Sequence, residues 1–269
     1  MEPKALNEML QNNTKIGETQ TLVRQEATYI IDTSDINTRA NFVFLKLGAS
    51  GYKYFSQKEN TIFIEQSKVC EDNHVPWGAY FYSTSITKEE ADQELNFILE
   101  KFGELDTTKY CFAFMLDIEN SGSESDRLNN AQNLSRVQGY LLNRLEEELG
   151  IPVVFYTYPH MIGDGNINFE EMFQELPNDK TIKLALSALR QPDGEHSEYT
   201  QNVIDSLPEN VELVMEQAVI DVEFGAYTID ANIMTESYYD EIITAMIERE
   251  NNNLSLMNEK EKGGEEEER

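Results

Sequence analysis

The chain has 269 residues, 40% of them hydrophobic and 10% aromatic, so it can bury a real core and is not a disordered polypeptide. With 50 acidic residues against 21 basic ones, its formal net charge is −29. That argues against nucleic acid or an anionic membrane surface as partner, since both need clustered Lys and Arg.

Residues 1–28 are polar, with little periodicity, and are read as a leader outside the core. Met1 to Glu26 has no apolar stretch of signal-peptide length, and no window approaches the roughly 18 apolar residues that span a membrane. Ordered pattern starts at Tyr29-Ile30-Ile31, an apolar strand ending in Asp32-Thr33-Ser34. A second strand covers Asn41 to Leu47 and closes on Gly48-Ala49-Ser50-Gly51. Helical spacing follows from Ile62 to Asn73, then a third strand from Val75 to Tyr82. Thr87-Lys88-Glu89-Glu90 matches a capping box and opens a helix to about Phe102.

Phe112 to Ile118 is a nearly continuous apolar run, the pattern of a strand buried on both faces. Asn133 to Leu149 carries Leu134, Val137, Leu141, Leu142, Leu145 and Leu149 on one side, and Gly150 ends this helix. The fifth strand is Ile151 to Thr157. Strands are then expected at Ile182 to Leu189 and Val211 to Met215, and a hairpin over Asp221 to Ile229 turning at Phe224-Gly225-Ala226. Glu236 to Arg249 reads as a closing helix, and residues 250–269 as an acidic, solvated, disordered tail. The expected folded unit is thus residues 29–249.

Strands alternating with helices in the first 160 residues imply βαβ units and a parallel sheet, an α/β fold. A barrel whose last helices are short or missing fits. A flat doubly wound sheet is the rival, although no Gly-rich phosphate loop follows any strand. Cys111 opens an apolar run and reads as a core thiol, while a disulfide with Cys70 stays open. His74, His160 and His196 lack metal-ligand spacing, so neither a metal nor a cofactor is expected.

Chemistry concentrates where strands end in acids, the edge at which barrels place their active sites. Asp32 ends the first strand, Asp117 and Glu119 the fourth, and Asp230 follows Tyr227-Thr228-Ile229. In a strand, residues i and i+2 share a face, about 6.5 Å apart. Two carboxylates held that close repel, so one pKa rises relative to the other. Such a pair supplies a proton donor and a charged stabiliser, as glycosidic cleavage needs. Glu reaches further, which makes Glu119 the acid and Asp117 the stabiliser. An acid-x-acid is by itself more often a solvated rim; the buried run Cys111 to Leu116 before it is what gives this one weight. Asp32 and Asp230, taken singly, read as cap or turn residues. Tyr80, Tyr82 and Tyr156 read equally as rings that stack on sugars or as plain core, and Trp77 reads as packing.

These segments resemble the glycoside hydrolase family 25 lysozymes. The family's Asp-x-Ser, Gly-Ala-Tyr-x-Phe, Asp-x-Glu and Tyr-Thr elements correspond to Asp32-Thr33-Ser34, Gly78-Ala79-Tyr80-Phe81-Tyr82, Asp117-Ile118-Glu119 and Tyr156-Thr157. The likeness runs in order from Tyr29 to Tyr158. It implies a TIM-like barrel of eight strands with a reduced set of helices, (β/α)5(β)3. It also implies cleavage of the β-1,4 bond between N-acetylmuramic acid and N-acetylglucosamine in bacterial peptidoglycan, with Glu119 as acid. Asp117 would assist either the substrate's acetamido group or an attacking water, with Asp32 and Asp230 at the same mouth and Gln217 contacting substrate. The C-terminal half keeps the Asp and Asn of the family's Val-Asp-x-Asn in Ile229-Asp230-Ala231-Asn232 but has Glu216-Gln217 where a Trp-Gln is usual. After the second strand, Gly48-Ala49-Ser50-Gly51 lacks the expected acid. The resemblance suits a bacteriophage lysin released through a holin, or an enzyme carried with virion or tail components. A wall-binding or structural virion module with weak catalysis is the alternative, favoured by the missing tryptophan and the −29 charge. A chitinase-like hydrolase fits the Gly-Ala-Tyr and Asp-x-Ser elements less well.

Overall fold

The computed structural model describes residues 15–19, 42–105, 108–120, 123, 125–189, 191, 194–224 and 227–249. Its strands are β1 (Lys15–Thr19), β2 (Phe42–Ser50), β3 (Gln57–Glu59), β4 (Trp77–Tyr82), β5 (Cys111–Ile118), β6 (Val153–Thr157), β7 (Ile182–Leu186), β8 (Val211–Phe224) and β9 (Tyr227–Met234). The helices are α1 (Phe63–Asp72), α2 (Lys88–Gly103), α3 (Leu134–Leu149), α4 (Pro159–Gly163), α5 (Phe169–Phe173) and α6 (Glu198–Asp205), followed by α7 over residues 236–249.

β2, β4, β5, β6, β7 and β8 are parallel neighbours in that order. β9 turns back antiparallel on β8, and β1 pairs antiparallel with β9 and parallel with β2. β3 is a short antiparallel addition outside β2. The result is a mixed α/β architecture with a curled sheet of eight principal strands. Its two antiparallel ladders, β8–β9 and β9–β1, distinguish it from a regular eightfold β/α barrel.

Alternation along the strands builds two cores. Val43, Leu45, Leu47, Ala79, Phe81, Phe114, Leu116, Phe155 and Leu184 face the helices. Phe42, Phe44, Tyr80, Met115, Val154, Tyr156, Ala185, Met215 and Met234 fill the inside of the curl. Gly78 is required there: a Cβ would lie 2.5 Å from the Phe44 ring. Tyr238, Ile242 and Met246, at i, i+4 and i+8 on α7, complete the inner core. Arg249 at the end of α7 donates to the carbonyls of Thr108 and Cys111. The closing helix therefore floors the amino-terminal end of the strands and leaves the carboxyl end for chemistry.

Local signals explain the main helices. Thr87 Oγ1 accepts from Glu90 N at 3.2 Å, and Glu90 Oε2 accepts from Ile86 N, a capping box shifted by one residue. Gly150 ends α3 with φ of 62°, a left-handed position that favours glycine. Trp77 is fully buried and gives its Nε1–H to Glu71 Oε1 at 3.0 Å, the packing role read for it. Cys70 and Cys111 are buried and no disulfide joins them, which settles the disulfide question.

Several expectations change. Lys15–Thr19, inside the segment read as leader, forms β1. Its pairing rests on main-chain hydrogen bonds offered by β2 and β9, which demand no side-chain pattern. The strand expected at 29–34 and the acidic tail lie outside the described residues. β8 runs to Phe224, well past Met215, with β9 returning after the expected turn region. The short helices α4, α5 and α6 are not individually located by the sequence, which points only to last helices that are short or missing.

Candidate active site

The site is built on the end of β5, which is buried along its whole length. Asp117 pairs with Tyr82 of β4 on one side and Tyr156 of β6 on the other. Both neighbours pin the strand end. Ser83 N donates to Asp117 O at 2.9 Å, Thr157 Oγ1 to Ile118 O at 2.7 Å, and Tyr82 Oη to Glu119 O at 2.9 Å. A backbone fixed from both sides holds its acids in one geometry, as a preorganised site needs.

Asp117 is 7% exposed, and its Oδ1 meets no hydrogen-bond donor among the described residues. Burial pushes its carboxyl well above the usual carboxylate range, and the charge of Glu119 pushes it further. The Lys46 ammonium pulls the other way. Asp117 and Glu119 therefore act as a pair that retains a proton where an isolated aspartate would have lost it.

Tyrosines surround the pair. Tyr158 is half-buried and hydrogen-bonded to the Glu119 side chain; burial and the Glu119 charge hold its hydroxyl protonated. Tyr82 is likewise held protonated, first by burial and then by Asp126, Asp117 and Glu119. Tyr156, 7% exposed, donates to Gln217 Oε1 at 2.7 Å, and Ser187 Oγ donates to the same oxygen at 3.0 Å. Gln217 of β8 sits opposite Asn232 of β9 in register. Tyr80 is 5% exposed within the inner core, with Lys46 Nζ 5.7 Å from its ring centre. Asp230 occupies β9 with its backbone opposite Thr19. The side chain of Asp230 and all of Asp32 lie outside the described residues.

Asp117, Glu119, Tyr82, Tyr156 and Gln217 thus come together around one strand end, with Tyr80 one layer below. Sequence reasoning missed Tyr158 and Lys46. Each carried a signal: Tyr158 continues the face of Tyr156 two residues on, and Lys46 is a lone cation within the apolar run Phe42 to Leu47. Among the described residues no group of three or more His, Cys, Asp or Glu side chains is placed to hold a metal.

The sequence pattern of glycosyl hydrolases family 25 matches residues 29–177. The chain belongs to that family. It is accordingly a glycoside hydrolase, and the family 25 match includes the Asp117/Glu119 pair and the strands on either side of it. No curated protein matches the chain in sequence. Solved structures share its fold. The catalytic domain of an endolysin from a Listeria monocytogenes bacteriophage is 13% identical, with a TM-score of 0.58 over 86% of this chain and 98% of that one. A family 25 glycosyl hydrolase from Bacillus anthracis is 16% identical, with a TM-score of 0.53 over 84% and 92%. The modular autolysin LytC of Streptococcus pneumoniae, solved with a synthetic peptidoglycan ligand, is 12% identical with a TM-score of 0.57; the alignment covers 82% of this chain but 46% of that one.

Proposed function

We propose that this family 25 protein is a muramidase, hydrolysing the β-1,4 bond between N-acetylmuramic acid and N-acetylglucosamine in bacterial peptidoglycan. The observation that carries the reading is the Asp117/Glu119 pair: a buried carboxyl whose Oδ1 meets no donor among the described residues, raised by burial and then by its neighbour, at the open end of the sheet. The barrel on which it would act is the family's (β/α)5(β)3 form. The solved endolysin and the autolysin bound to a peptidoglycan ligand support the substrate class.

Burial, and then the Glu119 charge, favours the protonated form of Asp117. A sugar entering the mouth strips water from Glu119 and offers its acetamido N–H to Asp117. Both changes favour moving the proton to Glu119. Glu119 then protonates the leaving oxygen as the bond to C1 breaks. Asp117, now charged, steadies either the acetamido group attacking C1 or an incoming water. Water finally supplies the hydroxyl on C1, and its proton returns to Glu119. Tyr158 and Tyr82 hold the Glu119 segment. Tyr80, Tyr156 and Gln217 would shape the sugar subsites, with Asp32 and Asp230 as further acids of the mouth. Delivery to the wall from a phage, by a holin or with the virion, is part of this proposal. Among the described residues no helix is long and apolar enough to cross a membrane.

The test is clearing of purified Gram-positive walls together with release of reducing ends, wild type against Glu119→Gln. The expected result is a loss of roughly 10²- to 10⁴-fold in the variant, the usual scale for removing a general acid. Equal rates would overturn the assignment of Glu119. Sedimentation of both proteins with walls that neither clears would establish the wall-binding module instead.

A further inference from the structure

The loop between β2 and β3 leaves the carboxyl end of β2, the end that carries the acid pair, and it is fixed in place. Gly51 N donates to Ser56 O, Thr84 Oγ1 to Gly51 O and Arg127 N to Tyr52 O, each at 3.1 Å. The Arg127 guanidinium lies 5.0 Å from the Phe55 ring centre and pairs with Glu90. The turn is tight enough that a Cβ on Gly51 would come within 2.5 Å of Tyr54 O. Yet this anchored loop holds two rings out to solvent, Tyr52 at 45% and Tyr54 at 73% exposure. Among the described residues only three other large hydrophobic side chains are exposed, Leu189, Tyr199 and Ile247, so the pairing on one loop is not the ordinary scatter of surface apolar groups.

Through Tyr52 the loop is continuous with the site. Tyr52 is near enough to act electrostatically on the Tyr82 hydroxyl, which in turn donates to Glu119 O. Lys53 lies between Tyr52 and Tyr54, its Nζ 5.5 Å from the Tyr54 ring centre, an exposed cation on a protein of net charge −29. Flat rings that keep a free hydroxyl match the C–H faces and hydroxyls of hexosamines. The ammonium matches the carboxylates of a peptidoglycan strand, on its stem peptides or on a muramic acid whose lactyl group is free of its stem, which a plain N-acetylglucosamine polymer lacks.

We infer that Tyr52, Lys53 and Tyr54 form a saccharide-binding lip that engages the glycan strand beyond the sugars flanking the cleaved bond. The inference rests on the peptidoglycan reading and assigns the lip a selective role within it, for long strands carrying carboxylates. Holding distant sugars adds binding without touching the reacting atoms, so it acts on KM and leaves kcat alone.

The experiment compares wild type, Tyr54→Ala and Tyr54→Phe on long soluble glycan strands and on tetrasaccharides from the same walls. Binding of the long strands is also measured by calorimetry in the Glu119→Gln background. Tyr54→Ala is expected to raise KM and weaken binding for long strands by about fivefold, the scale of one aromatic contact. It should leave kcat, tetrasaccharide cleavage and thermal melting unchanged, and Tyr54→Phe should restore most of the loss. Long-strand affinity unchanged in Tyr54→Ala, in a protein that still cleaves, overturns the lip alone. Tyr54-dependent binding by a wild type that releases no reducing ends supports the lip and overturns hydrolysis. No binding of strands by any form overturns both.

Discussion

Two carboxyl groups are buried near the same rim, and they are treated in opposite ways. Glu94 of α2 is fully buried and receives Ser83 Oγ at 2.5 Å and Thr84 N at 3.1 Å. Asp117 is nearly as buried but finds no donor for Oδ1 among the described residues, and it faces a second carboxylate. Burial raises both pKa values. At Glu94 hydrogen bonds such as those from Ser83 and Thr84 work to lower it; at Asp117 the Glu119 charge raises it again, with Lys46 opposing. Burial alone therefore does not mark a reactive acid. What separates the two is whether the surroundings complete the group or leave it for a ligand to complete. They are also joined, because Ser83, held by Glu94 through its hydroxyl, gives its N–H to Asp117 O.

The sharpest test replaces Asp117 by Asn. Hydrolysis should fall by roughly 10²- to 10⁴-fold in a reducing-end assay. Stability should move the other way. A folded pKa above the unfolded value means the native state binds more protons between the two, so stability falls as pH rises through that window. Asn removes this loss. The variant should melt above wild type at neutral pH, and the gain should vanish below about pH 4, where an unfolded aspartate is also protonated. A variant that melts lower at pH 7 would mean that Asp117 has a stabilising partner, and the contrast with Glu94 would fail.

Glu94→Ala comes next. It strips Ser83 and Thr84 of their acceptor and leaves a hole beneath the rim, which should cost about 3 kcal/mol in denaturant unfolding. Part of the activity should go with it, through the loosened Ser83–Asp117 contact. Lys46→Met should act on pH alone. Without the ammonium, the proton on the acid pair is held more tightly, so the alkaline limb of kcat/KM moves to higher pH. A limb that stays in place would remove Lys46 from the electrostatics of the site.

The parts of this design that were legible in sequence are those with a local cause. The continuous run Cys111 to Leu116 announced the buried strand, the leucine spacing and Gly150 announced α3, and Asp117-Ile118-Glu119 announced two acids on one face. Lys15–Thr19 was not legible, since a five-residue strand defined by its partners' main chain carries no period. The length of β8 was hidden by the register shifts after Gln217, which break its alternation. The helices α4 and α5 are too short for a helical stripe to show, although Asn168 capping Glu170 and Glu171 offered a start signal. Glu94 itself looked like one acid among many on an acid-rich helix. Only the fold shows Ser50, Ser83, Thr84 and Ser85 arriving around it from two strand ends.

Glu94→Gln should have the smallest effect, and it is the closest control for Asp117→Asn because the change of acid to amide is the same. Burial already favours the neutral form of Glu94. Gln keeps an oxygen to accept from Thr84 N and gains an amide that can donate to Ser83 Oγ, so the group remains satisfied with one fewer charge to bury. Stability should stay within about 1 kcal/mol of wild type and wall clearing should be unchanged. At Asp117 the same chemical change removes a group that, in the proposed mechanism, must gain and lose a proton. If Glu94→Gln abolished hydrolysis while leaving the melting temperature intact, Glu94 would belong to the proton traffic of the site, and Ser83 would be its connection to Asp117.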